Sequence, residues 1–465
     1  MIQTIGLVLL GWQLLVLGYY VVVNAGYLFI TLFAFRDVSH GMSATADEEQ
    51  LRQRLGDANL RPVSVIVPAH NEITTIVPTV ESILASQYPE FEIVVVDDGS
   101  TDGMLAHLIS HFEAEPVEVP VQRRLHHAPV KSTYLSRRHP QLLIVSKEGG
   151  GKSDALNAGI EYAQFPLVCA IDADSMLEAD ALLRLSQQFL LDRRLVAVGG
   201  AVRVLNGCRV EGSRITEVRA PQGLLECIQA AEYTRGFLAG RVALSRFRSL
   251  LIVSGAFGIF RKDLLVEIGG YRHTVGEDMD IVVRLHRHCI DSGIDYRVSF
   301  VPEPVCWTQV PKDLRSLLRQ RNRWQRGLAD SLWNSRGMFL KRRYGAVGMF
   351  GFPYFAFVEL LGPAIEFLGY VGFVIFLFLG WVDRDFALLF FTLSVLCGMW
   401  LNASAVLIDN LLLHRYRRLR DTLRIALLGS LEFIGIRQLV SAERLIATFQ
   451  FTRRHWGRVK RHDHD

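Results

Sequence analysis

Glu92-Ile-Val-Val-Val-Asp-Asp-Gly-Ser-Thr-Asp102 is a short β-branched run that ends in paired acids and a glycine turn. Runs of this kind form buried strands, and an Asp-Gly step closes them. Upstream, Val63-Ser-Val-Ile-Val-Pro68 has the same make-up and is stopped by proline, with a helical stretch over 73–86 between the two. Downstream, strands are expected over 142–146, 167–171 and 196–201, and helices over 154–164 and 179–191. Strand–helix alternation implies an α/β domain with a mainly parallel sheet covered by helices. Such sheets take ligands beyond the carboxyl ends of their strands, which is where the polar motifs of this chain fall.

Half of the 465 residues are hydrophobic, and the long apolar runs lie outside this middle region. No charged side chain occurs from Met1 to Phe35. At about 1.5 Å per residue that run exceeds the roughly 30 Å hydrocarbon core of a bilayer. It lacks the basic start and short apolar core of a secretory signal peptide, so a membrane helix over 1–36 is expected. Further apolar blocks cover 347–381 and 386–413. Arg415, Arg417, Arg418, Arg420 and Arg424 follow the last block, and a second basic cluster occupies 453–461. The positive-inside rule places both clusters, and the domain between the membrane parts, in the cytoplasm. The stretch 425–451 carries Glu432, Arg437, Glu443 and Arg444, so it is either a hairpin or a helix lying in the interface. Pro353 and Pro363 leave the start of the second block open to a re-entrant or surface arrangement. The expected organisation is a helix over 1–36, an α/β domain over 60–310 and amphipathic interfacial helices over 311–346. Transmembrane or interfacial helices over 347–452 and a basic cytoplasmic tail over 453–465 complete it. A net charge of +4 offers no basis for nucleic-acid binding, and six cysteines without a CxxC pair read as buried, reduced thiols.

Four constellations carry chemistry. Asp97 and Asp98 at the end of a strand can receive a base or ribose through carboxylate hydrogen bonds, with His70 and Glu72 ending the neighbouring strand. Glu148-Gly-Gly-Gly-Lys-Ser-Asp154 resembles a P-loop but fails it, because Ser146 stands where the first glycine is required. Lys152 beside those glycines still suits a diphosphate, through its charge and free helix-start amides. Asp172 and Asp174, spaced i, i+2 after an apolar strand, can present oxygens to Mg²⁺ or Mn²⁺. Gly276-Glu-Asp-Met-Asp280 opens an amphipathic helix; its acids either complement the helix dipole or make Asp278 a general base for an acceptor hydroxyl. Beyond these, Gln320-Arg-Asn-Arg-Trp324 sits in a basic helix. Arg315, Arg319, Arg321, Arg323 and Arg326 suit lipid phosphates. Trp324 is either an interfacial anchor or a platform for a sugar ring, with Gln320 and Arg323 aimed at acceptor and leaving phosphates.

Asp97-Asp98, Asp172-Ala-Asp174, Glu277-Asp278 and Gln320-x-x-Arg-Trp324, in this order and between membrane segments, resemble the processive family 2 glycosyltransferases. These are the cellulose, chitin, hyaluronan and poly-N-acetylglucosamine synthases, and the likeness covers about 62–324. It implies a Rossmann-like GT-A fold and inverting transfer from a nucleotide-sugar donor, UDP-GlcNAc or UDP-glucose. The β-linked polysaccharide leaves through a channel in the same chain. Carried over, Glu72, Asp97, Asp98, Lys152 and Asp172 hold the donor, and Asp174 with Asp172 holds the metal. Asp278 with Glu277 is catalytic, while Gln320, Arg323 and Trp324 line the acceptor end. The implied setting is a multi-pass protein of the cell inner membrane, with donor, growing polysaccharide and lipid as partners and accessory subunits left open.

The likeness has departures. Val253-Ser-Gly-Ala-Phe-Gly-Ile-Phe-Arg261 stands where bacterial cellulose synthases carry a Phe-Cys-Gly-Ser-like segment, which moves the resemblance toward the poly-N-acetylglucosamine and chitin-like synthases. No cyclic-dinucleotide domain is expected after the last apolar block. The stretch 113–139 reads as an inserted basic loop, solvated or lipid-facing. A non-processive relative acting on a lipid would share the acids but would lack Gln-x-x-Arg-Trp.

Overall fold

This computed structural model describes residues 11–33, 35–36, 60–382 and 384–451. The first ten residues of the N-terminal apolar run and the basic tail expected over 453–465 lie outside the described residues. An apolar helix, α1 (Gly11–Phe33), comes first. The domain then runs β1 (Val63–Ala69), α2 (Ile76–Leu84), β2 (Phe91–Asp98), α3 (Met104–His111), β3 (Ala114–Pro116), β4 (Val130–Ser136) and β5 (Leu142–Lys147). It continues through α4 (Lys152–Tyr162), β6 (Leu167–Ile171), β7 (Ser175–Leu177), α5 (Ala181–Leu191) and β8 (Leu195–Val204). A hairpin of β9 (Arg209–Glu211) and β10 (Arg214–Glu217) leads to α6 (Leu224–Thr234), a π-helix over Arg235–Arg241 and α7 (Val242–Arg246). After β11 (Phe257–Arg261), α8 (Lys262–Glu267), α9 (Glu277–Asp291) and β12 (Arg297–Thr308), the chain enters α10 (Leu314–Asn334). The last long helices are α11 (Gly362–Phe378), α12 (Arg384–Leu413), α13 (Leu419–Ser430) and α14 (Ile436–Thr448). The strands and helices expected over 63–201 are all present, with ends moved by no more than three residues.

Ten strands form one mixed sheet in the order β3-β4-β5-β2-β1-β6-β11-β8-β12-β7. Strands β3, β5, β2, β1, β6, β8 and β12 run one way, and β4, β11 and β7 run against them. Continuous apolar runs form the central strands because both faces are covered: Ile93, Val94, Val95 and Val96 are fully buried. Helix α4 lies so close to β1 that a Cβ at Gly159 would sit 2.3 Å from Ile66 Cγ2, so only glycine fits.

The stretch 113–139 differs from the expected basic loop. It contributes β3 and β4, with β4 antiparallel to β5, and the chain between these two strands folds onto α4. Glu161 accepts the backbone N–H of Leu125 at 2.6 Å and meets His127 at 2.9 Å, and Asp154 accepts from the N–H of Ala128 at 3.0 Å. Backbone groups of this segment thus find fixed acceptors on α4, which a solvated loop would not need.

Among the described residues, three helices are long and apolar enough to cross a membrane: Gly11–Phe33, Val347–Phe378 and Phe391–Leu413. The charged stretch 425–451 resolves into α13 and α14, bent by 56° about Gly435, whose φ is +93°. Its charges are met inside the protein. Arg437 pairs with Glu366 at 2.5 Å, Arg444 with Glu359 at 3.5 Å, and Glu443 accepts from Asn322 at 2.7 Å. A buried pair between Arg203 on β8 and Asp409 on α12 fastens the sheet to the apolar helices.

Candidate active site

Strand register explains why separated motifs meet. Ala69 lies opposite Asp97, Asp98 opposite Lys147, and Ile66 opposite Ala170, so the loops after β1, β2, β5 and β6 leave one edge together. Successive strand residues point to opposite faces, which separates the two acids of the first motif. Asp97 is buried; it accepts from the N–H of Ser100 and from Ser146 Oγ, both at 3.0 Å. It shapes the turn and does not line the cavity, contrary to its expected donor contact. Asp98 does reach the cavity, but its carboxylate accepts the N–H groups of Gly150 at 2.9 Å and Gly151 at 2.7 Å. Two amides of the glycine run ahead of α4, which the sequence leaves free for a diphosphate, are therefore occupied by an anion of the chain itself. Lys147, fully buried, completes this knot by bridging Asp98 at 2.5 Å and Asp154 at 2.6 Å.

Lys152 stands between the metal motif and the helix acids, 2.6 Å from Asp172 and 3.1 Å from Glu277. Burial disfavours its charge, yet Asp172 and Glu277 outweigh burial and hold its pKa above the ordinary lysine value. Glu277 and Asp278 begin α9, with the N–H of Met279 donating to Asp278 at 2.9 Å. Burial pushes both carboxyls above their usual range; Lys152 opposes this at each, and Arg241 opposes it at Asp278. Arg241, at the end of the π-helix, is itself pushed down to about 10 by burial, with its guanidinium 3.9 Å above the Phe237 ring. A base with a raised pKa loses activity as pH falls through that value. Replacing Arg241 with Gln removes a charge that favours deprotonated Asp278, so the acid limb of the pH–rate profile should move to higher pH. An unmoved limb would separate Arg241 from Asp278.

Asp172 and Asp174 follow β6 directly, and both line the cavity. Among the described residues, no three His, Cys, Asp or Glu side chains group as a metal cage. Two carboxylates open to a cavity suit a hard cation that takes its remaining ligands from phosphate and water, so the donor set fits Mg²⁺ or Mn²⁺. Glu72 also lines the cavity and accepts from Thr75 Oγ1 at 3.1 Å. His70 is exposed, and its Nδ1 lies 2.9 Å from the carbonyl of Asp98.

Helix α10 brings Gln320, Arg323 and Trp324 to the same space. Trp324 is 42% exposed, with the Arg321 guanidinium 4.2 Å from its ring and Tyr233 beside it at 6.3 Å. Arg321 and Arg326 are buried, so the lipid-phosphate expectation fails for both; Arg321 pairs with Glu232 and donates to Gln320 at 3.0 Å. Arg315 and Arg319 are exposed. One cavity of about 1420 Å³ joins the strand-end acids, the α10 residues and the polar faces of the apolar helices. Sequence reasoning passed over Arg241, Lys147 and Asp154. Only the glycine run beside Lys147 and Asp154 signalled a structured loop, and nothing local marked Arg241.

The family profile described as "Glycosyltransferase like family 2" matches residues 61–327. The poly-beta-1,6-N-acetyl-D-glucosamine synthase of Staphylococcus epidermidis is 27% identical over 266 residues, 57% of this chain and 54% of that protein. The synthase of the same description from Staphylococcus aureus strain COL is 29% identical over 270 residues, 58% and 55% of the two chains. The chain thus spans about half the length of these curated relatives. The mannosyltransferase PcManGT of Pyrobaculum calidifontis, solved with GDP-Man and Mn²⁺, superposes with a TM-score of 0.54 at 18% identity, over 90% of this chain and 99% of that one. The expected GT-A-type fold is borne out by this likeness.

Proposed function

The chain belongs to glycosyltransferase-like family 2, and from that premise we propose that it polymerises sugar from UDP-GlcNAc or UDP-glucose into a β-linked polysaccharide. The observation that carries this reading is the single cavity running from Asp172, Asp174 and Asp278, past Trp324, to Tyr19, Tyr20, Tyr27, Tyr354 and Tyr370 between the apolar helices. Aromatic rings with polar edges suit sugar rings, which present apolar faces and hydroxyl rims. The growing polymer leaves through this passage. The protein crosses the cell inner membrane several times, with its catalytic domain in the cytoplasm.

In the proposed reaction, Asp278 takes the proton from the acceptor hydroxyl. The hydroxyl oxygen bonds to the anomeric carbon as the bond from that carbon to the phosphate oxygen breaks, inverting the centre, and the nucleoside diphosphate leaves with the bonding pair. Lys152 and Glu277 orient this end of the donor, and Gln320, Arg323 and Trp324 hold the acceptor. Asp174 and Asp172 would hold a Mg²⁺ or Mn²⁺, which would supply charge stabilisation for a departing diphosphate.

Purified protein offered radiolabelled UDP-GlcNAc or UDP-glucose with Mg²⁺ or Mn²⁺ should form long products. Trp324→Ala should cut elongation more than donor hydrolysis, because the ring offers its face to the acceptor sugar. A lipid-linked monosaccharide as sole product would favour the non-processive alternative, and equal loss of elongation and hydrolysis would remove Trp324 from the acceptor site.

A further inference from the structure

One stripe of α10 carries Gln320, Trp324, Gly327 and Ser331, spaced so that all four face the same way. The first two line the cavity, and the last two grip the loop immediately before Glu277 and Asp278. At the crossing the backbones touch. A Cβ on Gly276 would lie 2.6 Å from the carbonyl oxygen of Gly327, and a Cβ on Gly327 would lie 2.7 Å from Gly276 Cα. Hydrogen bonds surround the contact: Ser331 Oγ donates to the carbonyl of Gly276 at 3.3 Å, and Thr274 Oγ1 donates to Asp330 at 2.6 Å. Other sides of the helix are tied to α14. Asn322 donates to Glu443 at 2.7 Å, and Gln325 donates to Thr448 Oγ1 at 2.9 Å while accepting from Arg444 at 2.8 Å.

We propose that the Gly276–Gly327 contact is a pin that sets the distance between Asp278 and the acceptor-end residues Gln320, Arg323 and Trp324. The inference rests on the roles given to those residues above. Gly276 and Gly327 are positioning residues: neither needs to touch substrate, yet the closest approach of α9 and α10 depends on both lacking a side chain. Any Cβ there meets backbone rather than a flexible side chain, so the two helices must move apart. Because α10 is also bound to α14, the displacement falls on the acceptor end relative to the base. Bonds form between atoms held about 3–3.5 Å apart, and a misplacement near 1 Å can cost about a hundredfold.

The test compares full-length wild type, Gly327→Ala and Ser331→Ala with UDP-GlcNAc and UDP-glucose, measuring UDP binding, transfer into polymer and release of free sugar. Gly327→Ala is expected to bind UDP like wild type and to lose about tenfold or more in transfer. Free-sugar release should fall far less, because water reaches the donor without being placed by α10. Equal losses of transfer and release, or undiminished transfer, would overturn the pin. Ser331→Ala introduces no clash and loses only the bond to Gly276, so it decides the matter if Gly327→Ala does not fold. It should show the same split at about threefold, and parallel loss or none counts against the proposal. Asp278→Asn is assayed alongside; should it transfer sugar normally, the base assignment falls and the pin with it.

Discussion

Asp278→Asn is expected to lower sugar transfer by about 10²–10⁴-fold while leaving donor binding nearly unchanged. Asparagine keeps the size of the side chain, and its oxygen can still accept the N–H of Met279, so the start of α9 should keep its shape. What disappears is a basic carboxylate whose pKa burial has raised toward the useful range, against the opposing charges of Lys152 and Arg241. Glu277 cannot replace it, because that carboxylate is already engaged by Lys152 at 3.1 Å. Incorporation of labelled sugar, set beside equilibrium binding of the UDP-sugar, separates the two effects. Full transfer by the variant would move the base elsewhere.

Lys147→Met should destabilise the domain by about 3–5 kcal/mol, the cost of removing one partner from a buried ion pair. The lysine side chain has no exposed surface, and its ammonium is the counter-charge for Asp98 and Asp154. Without it, two carboxylates remain in a nearly closed space, one holding the Gly150–Gly151 loop and the other holding the N–H of Ala128. Thermal unfolding in detergent should report the loss, with donor affinity falling as well because the loop ahead of Lys152 loses its anchor. A loss below about 1 kcal/mol, typical of an exposed pair, would mean that the loop is held by other contacts.

Much of the fold was legible because its signals are local. β-branched runs stopped by Pro68, or by the Asp98-Gly99 turn, mark strands wherever they occur, and a stretch without charge from Met1 to Phe35 has few soluble alternatives. The edge strand β3 and its neighbour β4 give no such local signal, for a related reason. Val130–Ser136 alternates weakly and lies among arginines and histidines, so its strand character comes from pairing with β5 rather than from its own composition. Of the site, Glu72, Asp98, Lys152, Asp172, Asp174, Glu277, Asp278, Gln320, Arg323 and Trp324 line the cavity. Asp97 does not, because alternation along β2 turns it toward Ser146.

By itself, then, the sequence determined the alternation of strands and helices, the apolar helices, and the residue types available at each strand end. Those are properties of neighbours within a few positions, where hydrophobic period and turn chemistry decide. The tertiary structure decided how the acids are used. Asp97 and Asp98 share a motif, yet one shapes a turn and the other anchors a glycine loop, since each answers to a different partner about fifty residues away. It also decided the place of Arg241, which no local pattern marks, and the contact of Gly276 with Gly327. Such roles depend on field and distance between elements remote in the chain, and these come into being only when the elements pack.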